Sequence, residues 1–166
     1  MPTGCRCCST FLQYNFFLSA MKSLPNDIFF AQVESEISQG RSVWFKVKGN
    51  SMLPFLKDNK DSVLLSPVKE SVVKNDVVLF SYNGRHVLHR VIEIEGKKYI
   101  MQGDGVYANR EFCLLKDIIG IVTQVQRPSG KIIPVTSFSW RFLSALWGNL
   151  RFLRRYLLFI YRLLFC

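Results

Sequence analysis

The sequence predicts a mainly β domain with one short leading helix and a basic, helical C-terminal extension. Three observations carry that reading. Runs rich in β-branched and aromatic residues recur at 43–47, 62–65, 76–82, 86–94, 98–102, 118–126 and 131–135. Turn formers separate them at Asp58-Asn59, Asn83-Gly84, Glu95-Gly96 and Pro128-Ser129-Gly130, which is how a sheet is punctuated. On either side of this region the apolar spacing changes to that of helices.

Residues 1–25 form an N-terminal extension. Phe16 to Ala20 is too short for a signal-peptide core, and Gln13 and Asn15 interrupt any longer run. Met21-Lys22-Ser23-Leu24-Pro25 reads as a natural start, so the first 20 residues are expected not to be native. Asn26 or Asp27 can cap a helix whose apolar positions are Ile28, Phe29, Val33 and Ile37, and Gly40 closes it. This helix opens a domain expected over 26–136. Within that domain Asn83-Gly84, between two strand-like runs, is the strongest hairpin signal.

Residues 137–166 form the third segment. The whole chain carries 22 basic and 12 acidic residues, a net charge of +10, which calls for a negatively charged partner. In the central domain lysines mix with acids. The last segment instead holds Arg141, Arg151, Arg154, Arg155 and Arg162 and no acid. Nucleic-acid binding would interleave lysines and aromatics on the β domain; that pattern is missing, so no nucleic-acid partner is expected. On a helical projection the arginines line up with Ser144 and Gly148 as a narrow polar stripe amid Phe, Leu, Trp and Tyr. Arginine is costly at mid-bilayer, so the segment reads as an in-plane anchor on an anionic membrane surface. Trp140, Trp147 and Tyr161 would then lie at headgroup level, with a break at Gly148-Asn149. The five cysteines (Cys5, Cys7, Cys8, Cys113 and Cys166) have no metal-ligand spacing and no framework pattern. Neither a metal nor another cofactor is expected.

The chemistry centres on Lys48-Gly49-Asn50-Ser51-Met52-Leu53-Pro54-Phe55-Leu56. Gly49 lets the backbone turn and Pro54 stiffens it, so Ser51 stands out from a strand-to-turn junction. A serine hydroxyl needs a base within hydrogen-bond reach to act as a nucleophile. The chain has two histidines, His86 and His89. Three residues apart on one strand, they point to opposite faces, so only one can serve.

Gly-x-Ser-Met-x-Pro-x-Leu resembles the nucleophile box of type I signal peptidases and of the self-cleaving, LexA-type repressors that share their catalytic fold. Asn75-Asp76-Val77-Val78-Leu79-Phe80 resembles the second box of that superfamily. Val87-Leu88-His89-Arg90-Val91-Ile92 is similar to the box of its histidine-type branch, found in archaea and the endoplasmic reticulum. Met101-Gln102-Gly103-Asp104 is similar to its Gly-Asp box. The four boxes follow in order between Val43 and Val125. The resemblance implies a signal peptidase-like all-β catalytic domain, with Ser51 as nucleophile and His89 as base. Asp104 is the orienting acid it implies. Asn109 in that role, or a Ser/His dyad, stays open, because Tyr107-Ala108-Asn109-Arg110 contains no second acid. The backbone N–H of Ser51, helped by Asn50, would hold the oxyanion.

The function expected is a membrane-associated serine endopeptidase that cleaves a leader or precursor peptide through an acyl-enzyme. The alternative is an inactive peptide-binding module of the same fold. With no exported anchor recognised, the cytoplasmic face is the expected side.

Overall fold

The computed structural model describes residues 26–69, 71–150 and 153–165; the expected non-native segment 1–20 and Arg151 lie outside them. Helix α1 (Asn26–Ser38) leads into eight antiparallel strands: β1 (Val43–Lys46), β2 (Ser62–Ser66), β3 (Val77–Tyr82), β4 (Arg85–Glu95), β5 (Lys98–Gln102), β6 (Glu111–Leu114), β7 (Ile118–Gln126) and β8 (Ile132–Pro134). Helices α2 (Phe138–Asn149) and α3 (Arg154–Phe165) follow. The mainly β architecture with one leading helix and a helical C-terminal part is the one the sequence predicts.

The sheet runs β1-β2-β7-β3-β4-β5-β6, and β7 is its spine. One edge of β7 pairs with β2; the other takes β3 along Ile118–Ile121 and β8 along Gln124–Gln126. Asn83-Gly84 closes the β3–β4 hairpin with both residues in the left-handed region, as a tight primed turn requires.

Strand β6 departs from the expectation, which left 111–114 out of the sheet. Its large apolar residues Phe112 and Leu114 face solvent, while Glu111 and Cys113 face inward. The usual apolar-in reading therefore fails on this edge strand.

Core side chains fill both faces of the sheet. Val77 and Leu79 of β3 join a cluster with Val33 and Ile37 of α1, Met52, Phe55 and Leu56 of the serine turn, and Trp140 of α2. Val78 and Phe80 join Val91, Met101 and Cys113 on the opposite face. Helix α2 thus contributes to the core. Its polar positions Ser144 and Gly148, expected to face lipid headgroups, turn toward the domain: Ser144 is buried, and a Cβ on Gly148 would come 4.0 Å from Asn75 Oδ1.

Candidate active site

Ser51 lies at the start of the turn that follows β1. Gly49 has φ +92°, a conformation that glycine adopts at little cost, and its N–H donates to Asp58 Oδ1 at 2.7 Å. Beyond Ser51 the chain plunges inward. Met52, Leu53, Phe55 and Leu56 are all buried, which leaves Ser51 partly exposed at the rim of a turn clamped by its own neighbours.

A second segment presses on this turn from the end of β5. Gly105 N–H donates to Ser51 O at 2.7 Å. A Cβ on Gly103 would sit 2.4 Å from Ser51 O and 3.0 Å from His89 Nε2, and one on Gly105 would sit 2.4 Å from Asn50 O. Both glycines are therefore required by close approach of backbone to backbone. Ser51 O and His89 Nε2 flank the space that a Gly103 side chain would fill.

His89 belongs to β4, opposite Val78 of β3, and is almost fully buried. Its Nδ1 lies 2.9 Å from Glu111 Oε2 of β6, whose side chain is 18% exposed. An ionised carboxylate only accepts, so the Nδ1–H donates and Nε2 keeps its lone pair in the neutral ring. Phe80 lies tilted beside the imidazole at 6.3 Å. His86 points the other way, stacked on Phe30 of α1 with Nε2 2.8 Å from Glu34 Oε1.

Asp104 does not meet His89. Arg90 follows His89 on the strand and so faces the opposite side. Its Nε and Nη2 donate to the Asp104 carboxylate at 2.9 and 2.7 Å, a two-pronged pair in which both side chains are buried. Arg90 Nη1 donates to Asn75 O and to Ser144 Oγ of α2. The guanidinium lies over the Phe55 ring at 4.8 Å and near Trp140 at 5.9 Å. Trp147 Nε1 donates to Asp104 O at 3.1 Å. The expected orienting acid is thus the hub of a buried bracket joining β4, the Gly103–Gly105 turn, the serine turn and α2. The other candidate, Asn109, is exposed in the loop before β6.

Sequence reasoning passed over Glu111. The available signal was its place two residues before inward-facing Cys113, in a strand the local pattern concealed. Asp76 shapes a turn, its carboxylate accepting from Val73 N–H, and burial pushes it above the ordinary aspartate range against the pull of that bond and of Arg90. Among the described residues no cluster of three or more His, Cys, Asp or Glu side chains is placed to hold a metal.

Of the arginines expected at the membrane, Arg141 is exposed on α2, and Arg155 is exposed on α3 with its guanidinium 5.9 Å from the Tyr107 ring. Arg154 and Arg162 fall within α3. Trp140 and Trp147, expected at headgroup level, pack instead around Phe55. No helix among the described residues is long and apolar enough to cross a membrane.

A family model described as Peptidase S24-like matches residues 13–132 of the chain. No curated protein matches it.

Proposed function

The chain belongs to the Peptidase S24-like family, and from that premise we propose that it is a serine endopeptidase working through Ser51, His89 and Glu111. The observation that carries this reading is the 2.9 Å bond from His89 Nδ1 to Glu111, with Nε2 left facing the Ser51 backbone across Gly103. In this mechanism the Ser51 hydroxyl attacks a peptide carbonyl and its proton passes to His89 Nε2. Glu111 fixes the tautomer and stabilises the imidazolium that forms. The oxyanion is held by the Ser51 N–H, with Asn50 beside it. Collapse expels the amine, which takes the proton from Nε2, and a water activated by the same nitrogen releases the acyl group.

The substrate in this reading is a leader or precursor peptide met at an anionic membrane surface. Support comes from the arginines of residues 137–166 and from the apolar outer faces of α2 and α3. The cytoplasmic face is favoured because its leaflet carries the anionic lipids such arginines would meet. A histidine base is what the histidine-type branch of the superfamily would use.

A serine-directed fluorophosphonate probe tests the proposal. The wild type is expected to label at Ser51, and Ser51→Ala and His89→Ala are expected to be silent. A folded wild type that does not label would favour a peptide-binding module of the same fold.

A further inference from the structure

Helix α2 and the serine turn form the two walls of an open groove. Its volume is about 270 Å³, and Pro54, Phe55, Trp140, Leu143, Leu146 and Trp147 line most of it. The apolar surface does not stop at the rim. On the outer side of α2, Phe138 is 84% exposed and Phe142 is more than half exposed. On α3, Tyr156, Phe159, Ile160 and Leu163 are exposed as well. A run of large apolar side chains on this scale marks a surface that meets something apolar.

We propose that this groove seats an acyl chain of an anionic phospholipid, so that a bilayer docks directly behind the serine turn. The proposal rests on the membrane-associated reading above and adds the place of contact. Two arguments select lipid over peptide. Residues 137–166 carry five arginines and no acid, which complements phosphate headgroups. A peptide would bring backbone N–H and C=O groups that need partners, and beyond Ser139 and Arg127, whose Nη1 already donates to Phe55 O, this lining is ring and aliphatic carbon; an acyl chain brings none. Trp147 already donates its indole N–H to Asp104 O, so the ring can line an apolar space without an unmet donor of its own.

A chain in the groove touches Phe55 and Trp147, the side chains packed around the Arg90–Asp104 pair. The backbone of that pair's turn abuts Ser51 and Asn50. Lipid occupancy therefore reaches the serine turn through direct contacts.

Brominated lipids test this, because bromine on an acyl chain quenches tryptophan on contact. The protein with Trp44→Phe, which keeps Trp140 and Trp147, is mixed with phosphatidylcholine vesicles with or without phosphatidylglycerol. Vesicle pelleting reports membrane association, and quenching reports the groove. Expected are pelleting with the anionic vesicles only, and a loss of emission that Leu143→Asp or Leu146→Asp removes; both positions are exposed enough to accept a charge. Inorganic phosphate is expected to change neither signal. Pelleting without quenching would overturn the groove assignment and leave membrane association standing. Equal pelleting with pure phosphatidylcholine would overturn the anionic lipid. Failure to pellet would overturn both.

Discussion

His89 and Arg90 are adjacent on one strand, and alternation sends them to different tasks. His89 turns to Glu111, and Arg90 turns to Asp104 beneath the serine turn. Each acid therefore has a separate test. Removing one partner of a buried pair leaves an uncompensated charge, so Asp104→Ala is expected to cost about 3–5 kcal/mol in a denaturant titration. The double variant Arg90→Met/Asp104→Leu should recover much of that loss. Gly103→Ala drives a methyl into Ser51 O, and a strain of about 1–3 kcal/mol is expected together with lost probe labelling. Asp76 offers a pH test. Its carboxyl is raised by burial, so the folded state binds its proton more tightly than the unfolded state does. Stability from this group is fully present below the ordinary aspartate range and is lost as pH rises through the raised value. Asp76→Asn keeps an acceptor for Val73 N–H without the charge. It should melt above the wild type at neutral pH, and the gap should close in acid.

Among the elements, what could be read from the chain depended on how well local pattern matched tertiary role. The strands around Asn83-Gly84 were legible because turn chemistry and alternation agree there. Strand β6 was not, because Phe112 and Leu114 point outward and Glu111 inward, so Glu111 looked like a loop residue. The histidines separated correctly by parity alone, but parity could not say which acid would meet which face. Helix α2 misled in the opposite sense: Ser144 and Gly148 made a polar stripe that looked headgroup-facing, whereas Ser144 serves a buried arginine. Polarity on a helix marks a lipid or water face only when nothing charged waits on the other side. Ending the chain after residue 136 would remove Trp140 and Ser144 from the core, so that truncation is expected to lower the melting temperature sharply. Ending it after Leu150 keeps those contacts and should leave the domain folded.

Across the molecule, the same helix has two unlike faces. One is built into the bracket under the serine turn, and the other is apolar and exposed on a helix that also exposes Arg141. In the proposed function this double role sets the peptidase site at a bilayer surface. Vesicle binding should accordingly weaken as salt screens the arginines, more steeply than burial of apolar surface alone would allow.

Whether Glu111 orients the base is decided by how fast the fluorophosphonate probe labels Ser51 in Glu111→Gln, set against the wild type. The amide keeps the shape of the side chain but can neither hold the proton on His89 Nδ1 as firmly nor stabilise the imidazolium. The rate should fall by a factor on the order of 10² or more, with the fold intact. Labelling of Glu111→Gln at the wild-type rate, while His89→Ala stays silent, would refute that role and return the orientation of His89 to another residue.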